Sequence, residues 1–199
     1  MTLAIIDSGG ANISSVIFAC KRLGVEPVFS SDPDVIRSAD RVILPGVGAA
    51  RAAMDHLNSQ GLVDCIRGLT QPVLGICLGM QLLFESSSEG ETPCLGIIPG
   101  QLELFKPAEG LRVPHMGWNL VEKQSEDPLI AGMPEKPWFY FVHSYVAPLG
   151  EFTVATSQHG QVFSAIVRQN NFFGAQFHPE RSAKDGARLL KNFLDMPCS

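Results

Sequence analysis

The amino-acid sequence predicts an α/β protein with three layers, in which helices flank a central, mostly parallel sheet that antiparallel strands from the second half extend. In the first half, short apolar runs alternate with segments of helical period, as in parallel sheets covered on both faces. In the second half, short β-patterned runs are separated by many glycines and prolines, which is typical of hairpins. Hydrophobic residues make up 45% of the 199 residues, which argues against disorder.

Four strands are predicted in the first half, at residues 3–6, 27–29, 41–44 and 73–76. Apolar residues at helical spacing follow the first strand, and we expect this helix to begin at the N-cap Asn12 and to end at Gly24. We predict further helices over residues 49–69, with an interruption near Gly61, and over residues 78–85. This alternation of strand and helix builds the parallel part of the sheet.

Five strands are predicted in the second half, at residues 101–105, 139–142, 152–155, 162–167 and 172–176, as hairpins that extend the main sheet. A final helix carries the apolar stripe Ala183, Ala187, Leu190 and Leu194, and its start at Ser182 resembles a capping box. Residues 86–90 are expected to form a mobile surface loop. No linker or internal repeat interrupts the chain, so we expect one domain over residues 1–199.

Composition argues against several classes of partner. The 15 basic and 20 acidic residues give a net charge of −5, which disfavours binding to nucleic acid or to an anionic membrane. No apolar run reaches the roughly 18 residues of a membrane span, and the segment from Met1 to Asp7 does not resemble a signal peptide. Five cysteines, an odd number without zinc-type spacing, favour a reducing cytoplasm. We expect no metal and no cofactor, since no paired metal-ligand spacing is present.

The stretch Gly-Ile-Cys-Leu-Gly at 75–79 has the form of a nucleophile elbow between a strand and a helix. In such a turn Cys77 projects from the carboxyl edge of the sheet at a helix N-terminus, where the helix dipole favours the reactive thiolate. The backbone N–H of Leu78 is directed to the place where an oxyanion would develop. Gln81, one helical turn further on, overlooks the same pocket. The alternative is that Cys77 is a buried core cysteine.

A base for this thiol is predicted in the segment Phe-His-Pro-Glu at 177–180. His178 and Glu180 share one face if the segment is extended, so that Glu180 orients the imidazole while the other ring nitrogen faces Cys77. Pro179 keeps His178 out of the helical region. The alternative is a strand-end histidine beside a solvated glutamate at a helix start.

A second glycine-rich turn, Pro-Gly-Val-Gly at 45–48, follows the strand at 41–44. It lacks the third glycine of a dinucleotide-binding fingerprint and the lysine of a P-loop. We therefore interpret Val47 or Gly48 as a second backbone donor to an oxyanion, with an ordinary turn as the alternative.

The remaining histidines give weaker signals. His115 and His143 lie in aromatic-rich segments and are predicted to be packed in the core or in edge loops, whereas His56 and His159 are predicted to be solvated.

Two of these segments, Gly-Ile-Cys-Leu-Gly-Met-Gln at 75–81 and Gln-Phe-His-Pro-Glu at 176–180, resemble the signatures of class I (triad-type) glutamine amidotransferases. Members of that family hydrolyse glutamine to glutamate and ammonia and pass the ammonia to a synthase domain or partner. The segments at 7–12, 45–48, 114–119 and 140–145 resemble the members that serve a cyclase in histidine biosynthesis. The resemblance extends essentially from end to end of the chain.

The resemblance implies roles for individual residues. It implies that Cys77 is the nucleophile, His178 the acid and base, and Glu180 the group that orients His178. It also implies that Leu78 and either Val47 or Gly48 donate to the oxyanion. The residues implied to line the glutamine site are Gln81, His143, Ser144 and Tyr145.

The same resemblance implies L-glutamine as substrate and a (β/α)₈-barrel cyclase subunit as partner in a heterodimer. In such members the 45–48 segment is poorly placed until the partner is occupied, so the isolated glutaminase would be nearly silent. Trp118, Tyr140 and the end of the His-Pro-Glu segment are our candidates for the interface, because aromatic residues anchor interfaces.

Two other functions remain open from the residues alone. One is a different enzyme, either an amidotransferase for another acceptor or a stand-alone thiol hydrolase. The other is a non-catalytic binding module in which Cys77 is structural.

Overall fold

The computed structural model describes residues 1–10, 13–106 and 110–197, so the predicted N-cap Asn12 lies outside the described residues. The helices are α1 Ile13–Arg22, α2 Pro33–Ser38, α3 Ala50–Ser59, α4 Leu62–Arg67, α5 Leu78–Leu82 and α6 Ala183–Asp195. The strands are β1 Leu3–Ile6, β2 Val28–Ser30, β3 Arg41–Leu44, β4 Val73–Ile76, β5 Phe84–Ser87, β6 Thr92–Pro93, β7 Ile98–Leu104, β8 His115–Leu120, β9 Glu122–Lys123, β10 Trp138–His143, β11 Tyr145–Val146, β12 Thr153–His159, β13 Gln161–Gln169 and β14 Phe172–Ala175. Two 3₁₀ turns lie at Pro128–Ile130 and Pro179–Arg181.

The central sheet has the strand order β2-β1-β3-β4-β14-β13-β12-β9. Strands β2 to β14 in this order are parallel, and β13, β12 and β9 continue the sheet in antiparallel pairing. Every residue of β1, β3, β4 and β14 is buried, as their apolar residues predict; Arg41 at the start of β3 is buried as well. The predicted fold class is therefore confirmed.

Two hydrophobic cores lie on opposite faces of this sheet. Successive residues of a strand point to opposite faces, and Leu3 and Ile5 accordingly join α1 and α6 while Ala4 and Ile6 join α2, α3 and α4. These are the two outer layers of the predicted arrangement. Within the described residues, no helix has both the length and the apolar character needed to cross a membrane.

Two of the predicted hairpin strands do not extend the main sheet. The strand predicted at 101–105 belongs to β7, which lies in a separate four-stranded sheet of order β11-β7-β5-β6. The strand predicted at 139–142 belongs to β10, which pairs with β8 in an antiparallel two-stranded ribbon. The local pattern identifies a strand, but its partner depends on contacts between distant segments, so this part of the prediction was wrong.

The helix that follows Cys77 is shorter than predicted. It ends at Leu82 and not at residue 85, because Phe84–Ser87 forms β5, which pairs in parallel with β7. Phe84 is fully buried and its ring packs edge-on against Phe152, with 5.3 Å between the ring centroids. Tertiary packing of this aromatic ring outweighs the local helical pattern.

The predicted mobile loop at 86–90 is instead tied to its surroundings. Ser87 is buried, and Oε2 of Glu89 accepts a 2.7 Å hydrogen bond from the backbone N–H of Ala50. The guanidinium of Arg51 donates to the carbonyl oxygen of Gly90. These contacts place Glu89 next to the first turn of α3.

Two predicted helix boundaries are confirmed and one capping motif is wrong. The break near Gly61 separates α3 from α4, and Gly24 ends α1 with a positive φ of 82°. Ser182 precedes α6, but its side chain makes no capping hydrogen bond to this helix. The hydroxyl of Ser182 donates instead to the carbonyl oxygen of His178.

Candidate active site

Cys77 occupies a sharp turn between β4 and α5, with φ 53° and ψ −109°. A non-glycine residue in this region of φ is strained, and such strain is typical of functional sites. A Cβ added to Gly75 would lie 2.7 Å from the carbonyl oxygen of Gly79, and one added to Gly79 would lie 1.8 Å from that of Leu44. The two glycines of the predicted elbow are therefore required by close backbone packing.

The thiol of Cys77 lies at the wall of a cavity of about 310 Å³. Its Sγ atom is 3.7 Å from the carbonyl oxygen of Val142 on the β8–β10 ribbon and 4.0 Å from Nε2 of Gln176. The cysteine is 6% exposed and is one of the residues that line the cavity. Cys77 therefore adjoins the cavity although nearly all of its surface is buried.

His178 and Glu180 meet beside this cysteine. Nδ1 of His178 is 2.8 Å from Oε1 of Glu180, and the side chains are 7% and 1% exposed. Burial alone would lower the pKa of His178, but hydrogen bonds to Cys77 and Glu180 and the charges of both groups raise it to about 10. The imidazole is therefore held between a sulfur and a carboxylate, with its charged form favoured.

The backbone fixes the position of His178. Its N–H donates to the carbonyl oxygen of Tyr140 on β10 at 2.9 Å, and its own carbonyl oxygen accepts from the hydroxyl of Ser182 at 2.6 Å. The same hydroxyl accepts a 3.0 Å hydrogen bond from the N–H of Tyr140. His178 itself has extended backbone, as the following proline predicts, whereas Glu180 lies in a 3₁₀ turn and not on an extended strand.

The second glycine-rich turn lies directly opposite the elbow. Val47, Gly48 and Leu78 all line the cavity of Cys77, and Gly48 has a φ of 96° that favours glycine. The hydroxyl of Ser8, which is buried, donates to the carbonyl oxygen of Pro45 at 2.7 Å. The turn at 45–48 is thus anchored at its first residue, and its last two residues share the cavity with Cys77.

The other predicted pocket residues also lie at this cavity. Gln81, His143, Ser144 and Tyr145 line it. Nε2 of Gln81 is 3.2 Å from the carbonyl oxygen of Tyr145 and 3.0 Å from Oε1 of Gln176, so it donates to both. The side-chain amide of Gln81 thereby ties the 143–145 wall of the cavity to the residue that follows β14.

Two residues at this site were missed by sequence reasoning. Glu89 is the one carboxylate among the described residues that line the cavity, since Glu180 contacts His178 but does not line the cavity itself. Gln176 is fully buried and its amide lies between Gln81 and Cys77. The sequence offered two signals: Glu89 follows the elbow helix closely, and Gln176 comes immediately before Phe-His-Pro-Glu. Neither position indicates by itself that the side chain points towards Cys77.

The other histidines differ in part from expectation. His115 and His143 are buried, as predicted. His159 was predicted to be solvated, but its ring stacks on that of His115 with centroids 4.2 Å apart. His56 was also predicted to be solvated; it is only partly exposed, and its Nε2 lies 3.6 Å from Oδ1 of Asp7. Each ring contacts a residue that is distant in the sequence, so its burial could not be predicted from the polarity of its neighbours in the chain.

Among the described residues, no cluster of three or more His, Cys, Asp or Glu side chains is arranged to hold a metal ion. The chemistry available in the cavity is that of a thiol, an imidazole with its carboxylate, backbone N–H groups and one further carboxylate. This set suits nucleophilic attack on an acyl carbon followed by proton transfer to the leaving group.

Comparison with known proteins gives one family and many similar chains. Residues 4–196 match the family model described as Glutamine amidotransferase class-I. The protein "Imidazole glycerol phosphate synthase subunit HisH" of Xylella fastidiosa (strain Temecula1 / ATCC 700964) is 55% identical over 194 residues, which cover 98% of this chain and 97% of that protein. The protein of the same description in Xanthomonas euvesicatoria pv. vesicatoria (strain 85-10) is 54% identical with the same coverage.

Solved structures share the fold at low identity. A structure described as a glutamine amidotransferase has a TM-score of 0.75 and 22% identity, and the match covers 98% of each chain. A glutamine amidotransferase from Thermotoga maritima has a TM-score of 0.63 and 19% identity, and the match covers 98% of this chain and 83% of that one.

Proposed function

This chain belongs to the class-I glutamine amidotransferases, and on that basis we propose that it is the glutaminase subunit of imidazole glycerol phosphate synthase, acting in histidine biosynthesis. The single observation that carries the proposal is the end-to-end identity of about one residue in two with proteins of that description. Cys77 and His178 line one cavity and Glu180 is hydrogen-bonded to His178, and this arrangement supports the glutaminase activity. Residues 1–199 act in this proposal as one glutaminase domain.

In the proposed reaction the thiolate of Cys77 attacks the side-chain amide carbon of glutamine. The protonated imidazole of His178 gives its proton to the departing nitrogen, which leaves as ammonia, and a γ-glutamyl thioester remains on Cys77. Neutral His178 then takes a proton from water, whose oxygen attacks the thioester and releases glutamate and the thiolate. The raised pKa of His178, about 10, supports its role as the proton donor of the first step.

The oxyanion of each tetrahedral intermediate is proposed to be bound by backbone N–H groups. Leu78 donates one, since it follows the nucleophile at the start of α5. Val47 or Gly48 donates the other from the turn that faces the elbow. Loss of one such donor costs about 3–4 kcal/mol in comparable sites, so a small displacement of this turn is enough to suppress activity.

Glutamine is proposed to be recognised by the 143–145 wall of the cavity and by Glu89. Gln81 holds the 143–145 wall through the carbonyl oxygen of Tyr145, and backbone groups of His143, Ser144 and Tyr145 bind the substrate. Glu89 is the carboxylate that meets the α-ammonium group of glutamine. Its other contact, with the N–H of Ala50, fixes the carboxylate at the cavity rim.

The proposed partner is the (β/α)₈-barrel cyclase subunit, to which the cyclase and lyase chemistry belongs. An exposed apolar face on the β8–β10 ribbon supports such a partner: Met116, Trp118 and Trp138 are 50–63% exposed. The ring of Trp118 packs edge-on against Tyr140, with 6.1 Å between centroids. Exposed clusters of aromatic residues of this kind mark protein interfaces. Val142 is paired with Met116 on this same face of the ribbon, and its backbone carbonyl oxygen lies 3.7 Å from Sγ of Cys77.

A dry path for ammonia from Cys77 to the partner is part of this proposal, because ammonia protonated in bulk water is no longer a nucleophile.

We also propose that the protein is located in the cytoplasm. Cys20, Cys65, Cys77 and Cys94 are free thiols, which suits a reducing compartment.

The test is to measure glutamate release by the purified chain alone, with the barrel subunit, and with the barrel subunit and its nucleotide substrate. We expect weak activity alone and strong stimulation in the complete complex. High turnover by the chain alone would instead favour a stand-alone thiol hydrolase, and ammonia transfer to a different acceptor would exclude this cyclase as partner.

The nucleophile is tested with Cys77→Ala in the same complex. We expect glutamine-dependent synthesis to be lost while ammonia-dependent synthesis by the partner persists. Cys65→Ala is the matched control, since Cys65 is a buried thiol of the α4 core away from the cavity. Glutaminase activity that survives in Cys77→Ala would mean that Cys77 is structural.

A further inference from the structure

A chain of side-chain hydrogen bonds leads from the wall of the cavity into the β8–β10 ribbon. Nδ1 of His143 is 2.8 Å from the carbonyl oxygen of Tyr145, and Nε2 of His143 is 3.0 Å from Nδ1 of His115. Nε2 of His115 is 3.2 Å from the side-chain nitrogen of Asn119, which also donates to the carbonyl oxygen of Gln158 at 2.8 Å. His143 and His115 are directly opposite each other in the antiparallel pairing of the ribbon.

The acceptor at one end of this chain and the amide donor of Asn119 at the other together fix every proton in it. The carbonyl oxygen of Tyr145 can only accept, so Nδ1 of His143 carries a hydrogen and its Nε2, in the neutral ring, must accept. His115 therefore donates from Nδ1, and its own Nε2 accepts from the amide of Asn119. The chain works only if both rings are neutral and both carry the proton on Nδ1.

Packing keeps both rings neutral and immobile. His115 and His143 are 4% and 6% exposed. His115 is stacked between Phe141 and His159, with centroid distances of 4.8 Å and 4.2 Å. Among the described residues, the titratable groups that act on the pair are His159 and His178, which are bases that can only add positive charge, and no described carboxylate contributes to the pKa of either ring. Burial accordingly lowers the pKa of both imidazoles.

We propose that His115 is a positioning residue of the glutamine site: it holds His143 in the tautomer that donates to the carbonyl oxygen of Tyr145, and so sets the 143–145 wall of the cavity. His115 does not line the cavity, so it acts on substrate only through His143. The carbonyl oxygen of Tyr145 also accepts from Gln81. The wall is thus held from two sides, by Gln81 from helix α5 and by the two histidines from the ribbon. This inference rests on the proposed function, because it takes the cavity as the glutamine site.

The test compares two substitutions of His115 in the complex with the barrel subunit. His115→Phe keeps an aromatic ring between Phe141 and His159 but removes the donor to His143. His115→Asn restores a donor, because its amide nitrogen, like Nδ1 of histidine, is two bonds from Cβ. His159→Phe is the matched control, since it keeps a ring in the stack and lies outside the hydrogen-bonded chain.

We expect His115→Phe to raise KM for glutamine about tenfold, the effect of one unsatisfied buried partner, with kcat changed less than about threefold. His115→Asn is expected to return KM to within about threefold of the unsubstituted complex, and His159→Phe to leave it unchanged. An unchanged KM in His115→Phe would overturn the proposal. An equal loss in the Phe and Asn variants would also overturn it, since packing and not the donor would then be responsible.

A second measurement does not depend on glutamine turnover. Long-range ¹H–¹⁵N NMR spectra of the full chain at neutral pH are expected to show both rings neutral with hydrogen on Nδ1, and His143 altered in His115→Phe but not in His159→Phe. A cationic ring, or hydrogen on Nε2 of His143, in the unsubstituted protein would overturn the proposal. If the complex fails to hydrolyse glutamine, the proposed function fails, whereas the NMR result still decides whether His115 sets the tautomer.

Discussion

Nδ1 of His178 lies 2.8 Å from Oε1 of Glu180, although these residues are separated only by a proline. The contact does not arise from an extended strand with both side chains on one face. His178 is extended, and Glu180 returns to it from the 3₁₀ turn Pro179–Arg181. The carboxylate therefore reaches the imidazole by a local reversal of the chain, and the hydroxyl of Ser182 holds that reversal through the carbonyl oxygen of His178.

Glu180→Gln tests the role of this carboxylate. The amide keeps the size of the side chain but removes the charge that helps to raise the pKa of His178. We expect kcat to fall at least a hundredfold in the partner complex, since a carboxylate-to-amide change at the orienting residue of a triad is severe, and the pKa of His178 to fall. Glu26→Gln, an exposed carboxylate paired with Lys21, serves as the control. Unimpaired turnover in Glu180→Gln would remove Glu180 from the mechanism.

Val47→Pro tests the second oxyanion donor. Proline deletes the backbone N–H of residue 47, and we expect partner-stimulated kcat to fall about 10²–10³-fold, as for loss of one donor in a comparable hole. Val47→Ala retains the N–H and should remain close to the parent. Stimulated kcat should be measured at saturating glutamine. If Val47→Pro is fully active, Val47 is not a donor, and Gly48 remains the candidate.

Glu89→Gln tests recognition of the α-ammonium group. The amide oxygen can still accept from the N–H of Ala50, so the start of α3 is preserved while the negative charge is removed. We expect kcat/KM for glutamine to fall about tenfold or more, in the range of a lost charge-assisted hydrogen bond. For an analogue of glutamine without the α-amino group, the same substitution should lower kcat/KM only slightly. An equal loss on both substrates would show that Glu89 does not recognise the amine.

Gly79→Ala tests the packing of the elbow. The added Cβ would lie 1.8 Å from the carbonyl oxygen of Leu44, so β3 and α5 would have to separate. We expect a loss of at least about 3 kcal/mol in the free energy of unfolding, measured by urea denaturation. Gly68→Ala is the matched control, because its Cβ would approach no atom closer than 3.3 Å. Comparable losses in the two variants would contradict the close contact at Gly79.

Acid should destabilise the protein through the buried histidine pair. The pKa is lowered to about 4 for His115 and about 3 for His143, first of all by burial, from 6.5. Below pH 6.5 the unfolded chain therefore binds more protons than the native chain, and stability falls as the pH falls towards these values. Each ring contributes up to about 1.4 kcal/mol per pH unit. This stabilisation is complete above pH 6.5.

Urea unfolding between pH 7.5 and pH 5 measures this effect. His115→Asn removes one of the two rings, so its stability should fall less steeply with acid than that of the unsubstituted protein. If the stability of His115→Asn falls as steeply with acid as that of the unsubstituted protein, or more steeply, then His115 is not kept neutral by burial. His178 acts in the other direction: its raised pKa of about 10 gives stability that is present below pH 6.5 and is lost as the pH rises through about 10.

The sequence by itself determined the parallel part of the fold and indicated the candidate reactive groups. The strands β1 and β4 are apolar throughout and β3 is apolar after Arg41, because both faces of these strands are buried, and such runs can be recognised without tertiary information. Cys77 between two glycines and His178 before a proline are likewise local patterns. Their physical causes, steric crowding at a sharp turn and a restricted backbone, act within a few residues.

Tertiary structure decided which strands pair, where the helix after Cys77 ends, and which side chains complete the cavity. Phe84 leaves the helical pattern because its ring is buried against Phe152, almost 70 residues away along the chain. Glu89, Gln176 and the tautomers of His115 and His143 depend on partners supplied by distant segments. Hydrogen-bond direction and burial are properties of assembled surfaces, so no local pattern in the sequence specifies them.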